Sequence, residues 1–169
     1  MPYEQLLQKA LGLISRNRYT VLKLKEKLVL YYEKQIEKGE LPPVSKTEKE
    51  TEIKKVLTRL KELKYLDDTQ YAKDFISTRI ELKPKGRFML QQELKRKGIH
   101  PDLAQRVIDE TEIDENKNAI EALKKRIKSF SSVPPQKQKE KSMRFLASRG
   151  FNLEAIYKAI EYWYNKREI

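Results

Sequence analysis

Apolar residues recur along most of the chain at the three- and four-residue spacing of amphipathic helices. The sets that share one helix face are Leu7, Ala10, Leu11 and Ile14; Leu24, Leu28, Tyr31 and Gln35; Ile53, Val56, Leu57, Leu60 and Leu63; Ala72, Phe75, Ile76, Arg79 and Ile80; and Ala119, Ile120, Leu123, Ile127 and Phe130. This spacing predicts helices over about 3–16, 20–37, 48–65, 69–82 and 115–130. Alternating runs joined by Asn-Gly or Asp-Gly turns, which indicate hairpins, do not appear. We therefore expect an all-α fold.

A nine-residue pattern occurs twice and indicates an internal repeat. The segment 94–102, LKRKGIHPD, returns at 146–154 as LASRGFNLE. Gly98 and Gly150 fit the position just beyond a helix, where a left-handed residue ends it. The next residue, Ile99 or Phe151, can then pack back on the helix that has ended. Each copy is thus interpreted as a joint between two helices.

Short polar residues stand where the following helices begin. His100 and Asn152 occupy the N-cap positions of the two joints, Asp67 or Asp68 can cap the helix 69–82, and Asp114 can cap the helix 115–130. His100 is the only histidine, and capping is favoured over catalysis because no activating partner is evident. The pair of aspartates is likewise better explained by capping than by metal binding.

With a further helix before each joint, the chain divides into three units of three helices, over residues 1–66, 67–113 and 114–169. The first unit is the most divergent, since a long charged second helix and the loop GELPPVS at 39–45 replace its glycine joint. Three short helices bury little surface alone, so neighbouring units should support one another.

Composition excludes several classes of function. The 169 residues contain no cysteine, which removes disulfides, thiol catalysis and cysteine-based zinc sites. Phosphate-binding glycine loops and metal-binding helix pairs are missing, so we expect no cofactor, no metal and no catalytic residue. No apolar run is long enough for a membrane span or a signal peptide. These features predict a cytoplasmic protein without a membrane partner.

The order of several short motifs resembles the RecX family, regulators of the RecA recombinase. The motifs are KYLDD at 64–68, YA at 71–72, KGR at 85–87, LKRKGI at 94–99 and RGF at 149–151. The family usually has glycine where Lys64 stands. The resemblance implies three tandem three-helix repeats in an elongated, curved arrangement that lies in the groove of the RecA–DNA filament. It also implies inhibition of strand exchange and of ATP hydrolysis by RecA, by a protein that is itself a monomer and not an enzyme.

Positive charge is concentrated in two blocks within a net charge of +12. The first contains Lys83, Lys85, Arg87, Lys95, Arg96 and Lys97, and the second contains Lys124, Lys125, Arg126, Lys141, Arg144 and Arg149. Stacked units would join the two blocks into one basic stripe able to neutralise phosphates. An acidic protein surface could meet the same stripe. The alternative interpretation, a solvated surface that serves solubility, is favoured for single lysines but not for the blocks.

Three hypotheses remain at this point. The first is a non-enzymatic regulator bound to the RecA–DNA filament, with single- or double-stranded DNA as a direct, salt-sensitive partner. The second is a stand-alone DNA- or RNA-binding helical protein. The third is an enzyme, which the residue inventory supports least. The aromatic residues at core spacing, Tyr65, Tyr71, Phe75, Phe151 and Trp163, are expected to pack in the interior rather than stack on bases.

Overall fold

The computed structural model describes residues 2–165, and the regular structure in that range is entirely helical. The elements are α1 (Pro2–Ile14), α2 (Val21–Glu37), α3 (Lys46–Glu62), α4 (Asp68–Leu82), α5 (Arg87–Arg96), α6 (Pro101–Glu110), α7 (Glu115–Lys124), a 3₁₀ helix (Ile127–Phe130), α8 (Pro135–Ser148) and α9 (Leu153–Tyr164). The prediction of an all-α protein is therefore confirmed.

The helices form two compact units. The first runs to Tyr71 and includes Lys97–Ile99, and the second comprises Ala72–Arg96 and continues from His100. The division into three units at 1–66, 67–113 and 114–169 stays a prediction.

The core of the first unit lies between α1, α2 and α3, each of which packs on the other two. Its buried apolar residues are Leu6, Ala10, Leu24, Leu28, Tyr32, Leu41, Ile53, Val56, Leu57, Leu60 and Leu66. Two predicted positions are wrong, because Leu6 is buried while Leu11 is 40% exposed, and Tyr32 takes the place predicted for Tyr31. The buried pair of α1 is four residues apart, and α2 continues from Leu28 by four residues to Tyr32 rather than by three to Tyr31.

The C-terminal core of the second unit lies between α7, α8 and α9. Its buried residues are Ala119, Ala122, Leu123, Ile127, Leu146, Phe151, Ala155, Ile156, Ala159 and Tyr164. A buried polar pair lies within it, since the hydroxyl oxygens of Ser142 and Tyr164 are 2.9 Å apart. The indole N–H of Trp163 donates to the carbonyl of Ile120 at 3.1 Å.

One predicted helix is interrupted. The segment 115–130 does not form a single helix, since α7 ends at Lys124 and a 3₁₀ turn follows. The N–H of Lys125 closes α7 on the carbonyls of Glu121 and Leu123. The tighter turn beyond it still buries Ile127. The predicted burial of this residue is therefore correct, although it does not lie in a continuous α-helix.

The joints are built on left-handed residues, as predicted for the two glycines. The φ angles of Gly98 and Gly150 are +86° and +75°. At the second joint, Gly150 N–H donates to the carbonyl of Ala147 at 2.9 Å, and Phe151 N–H donates to the carbonyl of Leu146 at 3.3 Å. This pair of bonds is the Schellman motif, which satisfies carbonyls that the helix end leaves without partners. Gly39, with φ +73°, ends α2 in the same way.

Lys64 adopts the same conformation without being a glycine. Its φ is +59°. Its N–H donates to the carbonyl of Lys61, and the N–H of Tyr65 donates to the carbonyl of Leu60, each at 2.9 Å. Lys64 thus forms the same kind of turn as the joint glycines, although a residue with a side chain adopts it at a cost. The prediction that Tyr65 is buried is wrong, because this residue is 56% exposed.

Gly86 lies close to the backbone of the joint between α8 and α9 in the second unit. Its N–H donates to the carbonyl of Arg149 at 3.0 Å. A Cβ atom added at Gly86 would lie 1.9 Å from the carbonyl oxygen of Gly150, which is too short for two non-bonded atoms. The segment before α5 therefore lies directly against the joint between α8 and α9, and this contact depends on the missing side chain.

Lys64→Gly should stabilise the protein. Glycine relieves the left-handed strain, and the extra freedom of its unfolded chain offsets part of this gain, so we expect about 0.5–1 kcal/mol more free energy of unfolding. Urea unfolding followed by circular dichroism measures it. The matched control, Lys54→Gly in the interior of α3, should cost about 1 kcal/mol. Equal destabilisation by both changes would contradict the assignment of Lys64.

Gly86→Ala should destabilise the protein by at least about 1–3 kcal/mol, because two backbone segments must separate to admit the methyl group. Gly12→Ala is the control, since a Cβ atom at Gly12 meets nothing within 4 Å. Because Gly12 lies within α1, this change should raise the free energy of unfolding by about 0.5–1 kcal/mol. Thermal and urea unfolding of both variants measure the difference. A Gly86→Ala variant as stable as the parent would show that the close contact is not present in solution.

Candidate functional site

The two aspartates of the KYLDD motif accept backbone hydrogen bonds from the starts of two different helices, α4 and α2. Asp67 Oδ1 accepts the N–H of Gln70 at 2.9 Å and so caps α4. Asp68 Oδ1 instead accepts the N–H of Val21, the first residue of α2, at 2.9 Å. Burial raises the pKa of Asp68, and this hydrogen bond counteracts the effect only in part. The two carboxylates therefore hydrogen-bond the first turns of α2 and α4 within the first unit.

His100, Asn152 and Asp114 act as the predicted N-caps. Each accepts a backbone N–H from the first turn of its helix, at 3.3, 2.8 and 2.9 Å respectively. These are the helices α6, α9 and α7. The single histidine is therefore engaged in helix capping, the role that its place in the joint indicated.

Both basic blocks reach the short segment between α4 and α5. The Lys125 ammonium donates to the carbonyls of Glu81 and Leu82, at 3.2 and 3.1 Å, directly before Lys83. At the other end of the segment, Gly86 contacts the carbonyl of Arg149. Residues distant in sequence are thus collected around the end of α4, within the second unit.

Two of the predicted binding residues, Lys85 and Arg87, have acidic partners within the second unit. Lys85 forms an ion pair with Glu93, and both side chains are 15% exposed. The backbone N–H of Arg87 donates to Glu115 at 3.0 Å, and its guanidinium lies 3.6 Å from Asp109. The charge of Lys85 is therefore balanced by a shielded carboxylate, whereas the pair of Arg87 with Asp109 remains partly exposed.

The other predicted cations lie at the surface. Lys83, Lys95, Arg96, Lys97, Lys124, Lys125, Arg126, Lys141 and Arg144 are exposed, and Arg149 is half-buried. The Arg149 guanidinium stacks 5.1 Å from the centre of the Phe145 ring. Lys124 and Arg144 have ion-pair partners one helical turn away, Glu121 and Glu140. Exposed pairs of this kind are weak, so these side chains remain exchangeable for an external anion.

Helix geometry offers a structural interpretation for some of the same residues. Lys95 and Arg96 lie in the last turn of α5, and Lys124 lies in the last turn of α7. Cations near the carboxyl end of a helix stabilise it through the helix dipole by about 0.3–1 kcal/mol. A test of binding by the blocks therefore needs a control variant in which the same number of charges is changed outside them.

Two acidic residues that the sequence pattern does not mark as functional, Glu93 and Glu115, contact several of these side chains and backbone groups. Glu93 receives Lys85, and its Oε2 lies 3.0 Å from Arg79 Nε. The carboxylate of Glu115 accepts from Arg87 N–H at 3.0 Å and from the side-chain amide of Asn152 at 2.7 Å. No periodic signal could identify Glu115, because its partners lie 28 and 37 residues away.

No helix within residues 2–165 combines the length and apolar character needed to cross a membrane. Over the same range, no group of three or more His, Asp or Glu side chains is placed to hold a metal ion.

Glu93→Gln should destabilise the protein in a pH-dependent way. Burial alone would raise the pKa of Glu93, but Lys85 and Arg79 together hold it below its ordinary value of 4.5. The ionised form therefore stabilises the fold above about pH 4.5, and this contribution is lost as the pH falls through the lower folded-state pKa. We expect a loss of about 1–3 kcal/mol at neutral pH.

The difference between the parent and Glu93→Gln should shrink toward pH 3, which urea unfolding across a pH series measures. The exposed Glu50→Gln serves as control and should change stability little at any pH. A penalty for Glu93→Gln that stays constant down to acid pH would contradict the ion-pair account.

Family models match two segments of the chain. Residues 67–115 match the second three-helix domain of RecX, and residues 113–160 match the third. The regulatory protein RecX of Prosthecochloris aestuarii is 32% identical over 109 residues, a match that covers 64% of this chain and 70% of that protein. The RecX of Neisseria meningitidis is 27% identical over 161 residues, covering 95% of this chain and 92% of the relative.

Other relatives are longer, since the match covers 42% of the RecX of Oceanobacillus iheyensis at 32% identity and 66% of this chain. Among solved structures, RecX from Lactobacillus salivarius superposes with a TM-score of 0.74 at 18% identity, covering 95% of this chain and 96% of that one. This superposition supports the fold, and the sequence matches support the ancestry. The motifs, the tandem three-helix domains and the relatives agree, and this chain belongs to the RecX family.

Proposed function

We propose that this protein binds the RecA–DNA filament and inhibits strand exchange and ATP hydrolysis by RecA, and thereby regulates recombinational DNA repair. Membership of the RecX family carries the proposal, because the relatives are named as regulatory proteins. The exposed cations of the two blocks provide the physical means.

The DNA within such a filament is a long anionic target, and cations that neutralise its phosphates release counterions on binding. The same cations attract acidic protein surfaces and accelerate association. Binding along the filament would block its extension or promote its disassembly. In this account ATP is hydrolysed by RecA, and the RecX-family chain contributes binding rather than catalysis.

The proposal includes the oligomeric state, the cellular location and the modular organisation of the protein. We propose that the protein acts as a monomer in the cytoplasm, where its filament partner is found, without a cofactor or membrane. The three-unit division at 1–66, 67–113 and 114–169 would give the chain modular contacts along a helical target. The basic stripe across the units is the surface that we expect to face the filament.

A second candidate function is stand-alone binding to DNA or RNA, which the net charge of +12 favours. Binding to bare nucleic acid would then be tight at physiological salt and would weaken steeply as salt rises. The filament proposal instead requires tighter binding to RecA–DNA than to the same DNA without RecA.

Charge reversal in the first block should weaken inhibition of RecA. We expect the triple variant Lys95→Glu, Arg96→Glu, Lys97→Glu to need about tenfold more protein for half-maximal inhibition of DNA-dependent ATP hydrolysis by RecA. The matched control reverses the exposed lysines Lys25, Lys27 and Lys34 of α2, which changes the net charge equally. Circular dichroism checks that both variants keep their helix content.

Inhibition weakened in the block variant but not in the control supports a specific binding surface. Equal weakening in both would show that net charge alone acts, and no inhibition by the parent protein would contradict the proposed function itself.

A further inference from the structure

The first unit contains a cavity of about 170 Å³ at the point where the ends of its helices meet. It is lined by three tyrosines and two cations from three separate segments. Arg18 and Tyr19 come from the loop before α2, Lys64 and Tyr65 follow α3, and Tyr71 lies in the first turns of α4. These residues lie outside the two basic blocks.

Tyr65 follows the left-handed Lys64 and is largely exposed to solvent. In a Schellman motif the residue after the left-handed position commonly packs back on the helix. Here that residue is Tyr65, whose ring is 56% exposed, while the next residue, Leu66, is 4% exposed and fills the core instead. Leu66 thus makes the core contact, while Tyr65 lines the cavity and keeps more than half of its surface exposed.

The chemistry of this cavity fits an unpaired nucleotide. Tyrosine rings stack on the flat faces of bases whatever their sequence, and Arg and Lys neutralise the adjoining phosphates. Asp67 also lines the cavity, but its Oδ1 accepts the N–H of Gln70, and Arg18 and Lys64 outweigh its charge. A paired base in a duplex keeps both faces covered by its neighbours, so it cannot stack in the same way.

We propose that this cavity, formed by Tyr19, Lys64, Tyr65 and Tyr71 with Arg18, is a stacking site for one unpaired base of single-stranded DNA. The inference rests on the proposed function only in that DNA is the ligand. It adds a site in the first unit that distinguishes single strands from duplexes, which the basic blocks cannot do through phosphates alone.

The test uses the full chain without RecA, so that its outcome is separate from that of the filament proposal. A fluorescein-labelled oligothymidine and its duplex with oligodeoxyadenosine are titrated at moderate salt and followed by anisotropy. Tyr65→Ala should weaken binding of the single strand by about 5- to 100-fold, the loss expected for one stacked base. Binding of the duplex should stay within about twofold of the parent, because phosphate contacts alone support it.

Two variants separate a stacking role from a structural one. Tyr65→Phe keeps the ring and should bind the single strand as the parent does. Tyr157→Ala removes a tyrosine of similar exposure, 58%, from α9 and should also leave binding unchanged. Circular dichroism confirms that each variant retains its helices.

Several results would overturn the proposal. They are an absence of single-strand binding by the parent, unchanged binding by Tyr65→Ala, an equal loss for single strand and duplex, or a loss in Tyr65→Phe as large as in Tyr65→Ala. A Tyr65→Ala variant that binds the single strand normally but no longer inhibits RecA would assign the cavity to a protein contact instead.

Discussion

Four helices within residues 2–165 end on a residue with a positive φ angle, two positions beyond the last helical residue. The residues are Gly39, Lys64, Gly98 and Gly150. A left-handed residue at this position reverses the chain within a few residues and lets its backbone bond the last carbonyls of the helix. Short helices can then pack on one another without long loops. The position of each following helix, and of the residues that begin it, depends on these turns.

The same turns position the groups that carry the proposed chemistry. At the joint between α8 and α9, the left-handed backbone contacts Gly86 and brings the second basic block to the segment that bears Lys83. At Lys64, the turn is followed by Tyr65, which is largely exposed, and by Leu66, which is buried in the core of the first unit. Helix ends also collect cations for electrostatic reasons, since the dipole favours them there. The basic surface is therefore partly a consequence of a fold with many helix ends.

Much of the fold could be predicted because its signals are local. Apolar periodicity identified the helices, and the repeated glycine with a polar residue two positions later identified both joints and their caps. The glycines of the joints are recognisable because a side chain there is costly. Lys64 carries no such signal, so its left-handed turn and the exposure of Tyr65 were not predictable from residue type.

The remaining differences involve contacts between residues that are distant in the sequence. The ion pair of Lys85 with Glu93 converts an expected binding residue into an internal one, and neither residue shows this in its local pattern. Gly86 looks like an ordinary loop glycine until Gly150 is placed beside it. The choice between Tyr31 and Tyr32 depends on a rotation of α2 that only its packing partners determine. Local pattern identifies elements, whereas the surface left exposed is settled by tertiary packing.

Co-sedimentation of the protein with RecA–DNA filaments, compared with the same DNA alone across a salt series, separates filament binding from binding to bare DNA. A protein that binds the filament should pellet with it at physiological salt, whereas its binding to DNA alone should be weaker and fall steeply as salt rises. Equal binding to DNA with and without RecA at every salt concentration would contradict the proposed filament binding and favour a stand-alone nucleic-acid-binding protein.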